Sequence, residues 1–204
     1  LKVGGKPMLE HIIEKAKSEG FCNFLISVFY LDDQIRQYFG DGSRWDINIK
    51  YLTEPEPLGT AGALTLIDPV PLHDIVVTNG DIISNIPLRK ILSYHQLNQA
   101  SATMAVHYHE WENPYGVVET NGVNILEVSE KPVQKNKINA GVYVISSRAI
   151  EKLGKGSALN MTDFFSAMIN QSEKVVAYPL HEQWLDVGRH EDLKKAEKFA
   201  SKSN

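Results

Sequence analysis

Two isolated carboxylates, each at the end of an apolar run, are the residues of this sequence best placed to do chemistry. Asp81 closes the stretch 74–81 (DIVVTNGD), whose β-branched residues predict a buried parallel strand ending in a turn. Asp186 stands in a second short predicted strand, 184–188 (WLDVG). In open α/β sheets ligands bind at the carboxyl ends of the strands, so Asp81 is well placed to hold a metal ion. Taken alone, the Asn-Gly-Asp sequence is more typical of an ordinary strand-terminating turn.

Three further features of the sequence could bind a ligand or take part in chemistry. The segment 54–64 (EPEPLGTAGAL) has two prolines that force an extended loop, and its small residues open a predicted helix over 61–67. The amides at such a helix start suit a base or a phosphate, although a simple Pro-rich β-to-α connection explains the segment equally well. Glu130 and Lys131 place an acid beside a base at a strand end, and Asn139 places an amide at the mouth of the predicted strand 139–145.

Other candidate residues carry weaker signals. His107 and His109 are two positions apart on a predicted strand and so face the same side, but no further ligand at metal spacing accompanies them. Gly4-Gly5 lacks the additional glycines and the strand-to-helix setting of a phosphate cradle. The single cysteine, Cys22, excludes an internal disulfide and fits a reducing cytosol.

These residues are expected to be positioned by alternating strands and helices. Helices are predicted from Pro7 to a stop at Gly20, over 32–39, from Pro87 through His95, and over 147–153, 162–170 and 189–201. Strands are predicted over 21–30, 47–53, 74–78, 102–109, 115–119, 124–128, 139–145 and 175–180, and a turn at Asn121-Gly122 joins 115–119 to 124–128 in a hairpin. The alternation is typical of an α/β fold. Without repeats, low-complexity segments or a linker, we expect a single domain over 1–204.

The composition excludes several classes of protein. The 204 residues carry 21 basic and 25 acidic side chains, interspersed, for a net charge of −4. This balance predicts no nucleic-acid-binding face. No apolar run approaches the ~18 residues of a membrane span and no signal peptide opens the chain, so no membrane association and a cytoplasmic location are expected.

Seven motifs in a fixed order resemble those of the sugar-1-phosphate nucleotidyltransferases, the sugar-nucleotide pyrophosphorylases. They are GKPM, EPEPLGTAGAL, NGD, YGVV, EKP, NAGVYV and WLDVG. The resemblance extends over nearly the whole chain, from Val3 to about Leu193, and is nearest to the mannose-1-phosphate guanylyltransferases. It implies a Rossmann-like three-layer α/β sandwich with a mixed, mainly parallel sheet.

One part of the family pattern is absent from the chain as given. Family members open with a strand and a Gly-rich GGxGTRLxPLT segment, whose amides cradle the nucleotide phosphates. We therefore expect the domain to be N-terminally incomplete, lacking its first strand, and a protein truly truncated there would bind its substrates poorly and catalyse little.

The resemblance also implies roles for particular residues. Asp81 and Asp186 would hold Mg²⁺, and with Lys131, which would meet the sugar phosphate, they form the predicted catalytic set. The residues expected to bind the nucleotide are Glu54, Gly59, Thr60, Asn79 and Gly80. Those expected to bind the sugar phosphate are Gly116, Glu130, Lys131 and Asn139. The expected partners are a nucleoside triphosphate and a sugar 1-phosphate, and a homo-oligomer is possible.

The choice of base depends on Glu54. A carboxylate accepts hydrogen bonds but donates none, which suits the adjacent N1–H and N2–H₂ donors of guanine better than the mixed edge of uracil or thymine. We therefore predict GTP, with UTP or dTTP as alternatives. A metal-dependent glycosyltransferase is disfavoured because no Asp-x-Asp pair follows a strand, whereas a catalytically silent nucleotide-sugar-binding subunit stays open.

Overall fold

The computed structural model describes residues 2–188. Its strands are β1 Lys2–Val3, β2 Lys6–Pro7, β3 Asn23–Val28, β4 Asn48–Thr53, β5 Ile75–Thr78, β6 Ile82–Ser84, β7 Ala102–Glu112, β8 Val117–Asn121, β9 Asn124–Ser129, β10 Val133–Ile145, β11 Val175–Pro179 and β12 Trp184–Asp186. Its α-helices are α1 Met8–Ser18, α2 Asp32–Phe39, α3 Leu88–Leu97, α4 Ser147–Glu151 and α5 Met161–Asn170. The helix predicted over 189–201 lies outside the described residues.

The central sheet has four strands in the order β11-β7-β10-β5. β10 is antiparallel to both β5 and β7, and β11 is parallel to β7. The expected α/β class is confirmed, but this sheet is more antiparallel than the predicted, mainly parallel one. In particular, β5 was expected to be a parallel strand and instead pairs antiparallel with β10. A second pair, β3 and β4, is parallel.

Helices cover both faces of the central sheet, because successive side chains of β10 alternate between two apolar clusters. Tyr143 and Ile145 pack in one cluster with α4 and α5, while Val142 and Val144 pack in the other with α3. All four side chains are at most 1% exposed. This burial makes the sheet that contains β10 the middle layer of the fold. Asn139 lies inside β10, where its buried part meets its exposed part, and not at the strand end as predicted.

β7 and β10 continue beyond the core as a two-stranded arm. Their pairing runs outward to Val133 and Glu112, and the β8–β9 hairpin follows at its end. The side chains of this hairpin are mostly exposed, in contrast to those of the core strands. The hairpin was predicted correctly, including its turn at Asn121-Gly122, but the lengths of β7 and β10 were underestimated.

One predicted helix is replaced by a tighter turn. Over 61–67 the chain forms a short 3₁₀ helix, Gly62–Leu66. The Thr65 hydroxyl donates to the Gly62 carbonyl oxygen at 2.6 Å, and such side-chain bonds to the local backbone compete with regular α-helix.

No helix among residues 2–188 is long and apolar enough to cross a membrane.

Candidate active site

The pairing of β6 with β12 brings the two isolated carboxylates together. Asp186 lies opposite Ile82, the residue that follows Asp81. The Val187 amide also donates to the Asp81 carbonyl oxygen at 2.9 Å. The two aspartates are 105 positions apart in the sequence, and the antiparallel register makes them neighbours at the end of β5.

The two carboxylates concentrate negative charge at one place in the fold. Partial desolvation raises the pKa of Asp81, and the negative charge of Asp186 adds to the rise. The Gly188 amide donates to Asp186 Oδ1 at 2.9 Å, which orients the second carboxylate. Two carboxylates suit Mg²⁺, which usually takes one or two of them and fills its other positions with water and substrate phosphate oxygens. Residues 2–188 contain no group of three or more His, Cys, Asp or Glu side chains that could hold a metal by themselves.

Asn79 and Gly80 form the turn that delivers Asp81. The backbone amide of Asn79 donates to the Gly141 carbonyl oxygen at 2.9 Å, which connects this turn to β10. Gly141 has a left-handed φ of +70°, and a Cβ there would lie 3.0 Å from the Asn79 side chain. A Cβ on Gly80 would meet nothing within 4 Å, so the structure leaves open space at that position of the turn.

Asn139 belongs to the same group through an irregularity in β10. The register with β7 shifts between Asn139 and Tyr143, so that β10 bulges where it passes Asp81. Within the bulge, Asn139 Oδ1 accepts from the Gly141 amide at 2.9 Å and Asn139 Nδ2 donates to the Tyr143 hydroxyl at 2.8 Å. The predicted sugar-binding amide is therefore held at both of its ends.

Tyr143 is a site residue that sequence reasoning missed. Its side chain is 1% exposed. Burial raises the pKa of its hydroxyl, the bond from Asn139 opposes that rise, and the nearby Asp81 carboxylate adds to it. The pattern NAGVYV predicts only a buried strand, because the proximity of Tyr143 to Asp81 depends on the bulge and on the pairing with β5.

Gly116, Glu130 and Lys131 form a second group at the outer end of the β7–β10 arm. A Cβ on Gly116 would lie 3.1 Å from Glu130 Oε2, so the structure does bring these two predicted residues together. Lys131 is exposed in the turn between β9 and β10, with a left-handed φ of +46°. Among residues 2–188, no hydrogen bond or ion pair joins this group to the two aspartates.

The predicted nucleotide loop, residues 54–61, is held at its first residue by the Glu54 carboxylate. The Ser27 hydroxyl donates to Glu54 Oε1, and the Leu58 amide donates to Glu54 Oε2 at 2.9 Å. The Glu54 amide also donates to the Val28 carbonyl oxygen at 2.9 Å, which continues the β3–β4 pairing into the loop. Glu54 thus closes a turn over the two prolines.

The far end of the loop docks on the segment that precedes α5. Gly59 has a φ of +81°, and a Cβ there would lie 2.8 Å from the Leu159 carbonyl oxygen. Thr60 Oγ1 accepts from the Met161 amide at 2.8 Å, so a threonine of the loop caps the first turn of α5. Ala61 then packs in the same apolar cluster as Tyr143. The loop and Tyr143 therefore pack in the same apolar cluster.

Two known proteins are similar to nearly the whole of this chain. Mannose-1-phosphate guanyltransferase of Schizosaccharomyces pombe is 28% identical over 204 residues, and mannose-1-phosphate guanylyltransferase of Mycobacterium tuberculosis is 29% identical over 200 residues. These alignments cover 94% and 95% of this chain and 55% of each relative, so the chain spans about half the length of these relatives.

The fold is also that of a solved pyrophosphorylase. UDP-glucose pyrophosphorylase from Acinetobacter baumanii matches with a TM-score of 0.74 and 18% identity, over 100% of this chain and 85% of that chain. The family model for nucleotidyl transferases matches residues 1–203, almost the entire sequence. This chain belongs to the nucleotidyl transferase family.

Proposed function

We propose that the protein transfers a nucleoside monophosphate from a nucleoside triphosphate, with GTP favoured, to a sugar 1-phosphate. An oxygen of the sugar phosphate forms a bond to the α-phosphorus while the bond from that phosphorus to the bridging β-phosphate oxygen breaks. The products are a nucleotide-diphosphate sugar and pyrophosphate. The observation that carries this proposal is the pairing of β6 with β12, which sets Asp186 opposite Ile82 and so brings it beside Asp81, next to the bulge of β10.

An in-line phosphoryl displacement depends on positioning the reactants and on neutralising charge. Different residues of the chain would meet these two requirements. Asp81 and Asp186 would hold Mg²⁺, and a bound Mg²⁺ neutralises charge on the phosphate oxygens. Lys131 supplies a compact positive charge for the sugar phosphate. Glu130 and Asn139 accept from or donate to the sugar hydroxyls, and Gly116 leaves room beside Glu130.

The preference for GTP has two supports. The two guanylyltransferase relatives are similar over nearly all of this chain. In addition, Glu54 presents only acceptors, and each of its oxygens retains a free lone pair after its bond to Ser27 or Leu58. Two adjacent acceptors match the two adjacent donors of guanine.

The test is pyrophosphate release by the full-length protein with Mg²⁺, four nucleoside triphosphates and a panel of sugar 1-phosphates. We expect turnover with GTP and one sugar 1-phosphate, and a loss of at least 100-fold in Asp81→Asn, since one charged metal ligand is removed. Asp46→Asn is the matched control, because Asp46 is exposed and pairs only with Lys17 among the described residues. Turnover with UTP or dTTP alone would reject the base assignment, and no turnover with any pair would favour the silent, nucleotide-sugar-binding alternative.

Metal binding has its own measurement. Titration of the protein with Mn²⁺, followed by electron paramagnetic resonance, should show binding that is weakened in both Asp81→Asn and Asp186→Asn. Equal binding in wild type and both variants would place the metal elsewhere.

A further inference from the structure

Ser27 lies at the carboxyl end of β3, on the strand face that reaches solvent. Its backbone pairs with Leu52 in the parallel β3–β4 ladder, which brings the end of β3 beside the start of the 54–61 loop. The side chain is exposed and donates its hydroxyl hydrogen to Glu54 Oε1. Within residues 2–188, Ser27 belongs to none of the buried apolar clusters, and its side-chain hydrogen bond is the one to Glu54.

The bond from Ser27 completes a two-point attachment of the Glu54 carboxylate. The Leu58 amide holds Oε2 at 2.9 Å while the Ser27 hydroxyl holds Oε1. A carboxylate held at one oxygen only can rotate about its last torsion, which is broad for glutamate. Held at both oxygens, its plane is fixed and its remaining lone pairs have fixed directions.

We infer that Ser27 is a positioning residue that sets the choice of base, an inference that rests on the proposed function. With the carboxylate plane fixed, one remaining lone pair on each oxygen of Glu54 would be available together for the adjacent N1–H and N2–H₂ donors of guanine. Uracil and thymine offer one donor flanked by carbonyl acceptors and so gain only one bond from the same carboxylate. Ser27 therefore favours GTP over UTP through Glu54 without contacting the base.

The sequence alone does not reveal this role. Ser27 is one residue of a predicted strand, 27 positions before Glu54, and serine at an exposed strand position is unremarkable. Only the parallel register of β3 and β4, with the Glu54 amide bonded to the Val28 carbonyl oxygen, places the hydroxyl against the carboxylate.

The experiment compares Ser27→Ala with Ser27→Thr in the full-length protein. The readout is the ratio of kcat/KM for GTP to that for UTP, together with the ratio of the two dissociation constants from calorimetry. We expect Ser27→Ala to lower both ratios about tenfold, the loss of one hydrogen bond to a charged group, and Ser27→Thr to keep them within about threefold of wild type.

The matched control is Ser101→Ala. Ser101 donates to Glu173 Oε2 at 2.6 Å, a bond of the same chemistry beside β7 and β11, away from the β3–β4 pair. Its removal should leave both ratios unchanged. A merely structural role for Ser27 would weaken GTP and UTP equally, so the ratios would not move.

The outcomes separate the inference from the proposed function. Unchanged ratios in Ser27→Ala, with an active wild type, would overturn the inference alone. A wild type that releases no pyrophosphate with any substrate pair would overturn the proposed function, and the dissociation constants would then still test Ser27. A wild type that binds UTP as tightly as GTP would overturn the inference.

Discussion

Replacing Glu54 with glutamine is the sharpest test of the proposal that Glu54 selects the base. The Leu58 amide needs an acceptor, so the glutamine oxygen should take the place of Oε2 and its NH₂ group the place of Oε1. The Ser27 hydroxyl can turn to accept from that NH₂ group. The outward edge of residue 54 then presents one acceptor and one donor, where glutamate presents two acceptors.

The expected change in kcat/KM follows from the hydrogen bonds that this edge of residue 54 can form with each base. Guanine loses one hydrogen bond to a charged group, worth about 1.5–3 kcal/mol. At about 1.4 kcal/mol for each factor of ten, kcat/KM for GTP should fall about 10- to 100-fold. Uracil, with a donor next to an acceptor, matches the new edge, so kcat/KM for UTP should fall less or rise.

The assay is pyrophosphate release with GTP and UTP present separately and in competition. Glu56→Gln is the matched control, because Glu56 is an exposed acid of the same loop. Its GTP-to-UTP ratio should equal that of wild type. A Glu54→Gln variant that keeps the wild-type ratio would refute the assignment of Glu54 as a base reader, whatever its absolute rate.

Three further predictions concern stability. Thr60→Ala removes the cap on the Met161 amide and should cost about 1 kcal/mol, or about 2–4 °C in melting temperature, whereas Thr60→Ser should not. Gly141→Ala should lower the free energy of unfolding in urea by more than Gly156→Ala, because both have positive φ but only a Cβ at 141 meets close neighbours. Burial lowers the pKa of His95, so the unfolded state binds more protons and stability should fall as the pH drops below about 6.5. The free energy of unfolding should change less between pH 7.5 and pH 5 in His95→Gln than in wild type. An equal change in the two proteins would contradict the assignment of this pH dependence to His95.

Local patterns in the sequence predict most of the elements. The apolar periodicity of α1 and α3 and the Asn121-Gly122 turn give helix and hairpin positions close to those observed. Patterns failed where distant contacts decide the structure. The apolar run of β5 is compatible with either direction of pairing, and its antiparallel partner β10 comes some 60 residues later along the chain.

In the candidate site, too, local patterns identify some residues, whereas distant contacts decide how those residues are arranged. Asp81 and Asp186 stand out in the sequence because each is an isolated carboxylate after an apolar run. Their proximity depends on the β6–β12 register, and the role of Thr60 as a cap depends on a contact with Met161, 101 positions away. Contacts at that separation have no local signal. The family resemblance suggested that Asp81 and Asp186 meet, and nothing in the sequence predicted the contact of Thr60 with Met161.

The way Asp81 is held explains how the fold tolerates two adjacent negative charges. On one side, the Asn79 amide is bonded to β10 through the Gly141 carbonyl oxygen, and on the other side the Asp81 carbonyl oxygen accepts from Val187. Both attachments use the backbone, so neither depends on the carboxylate. Because the carboxylates repel each other while the backbone holds them in place, the proposed Mg²⁺ would relieve that repulsion when bound. Asp81→Asn should therefore leave the fold intact, and a loss of turnover in that variant can be attributed to the lost charge.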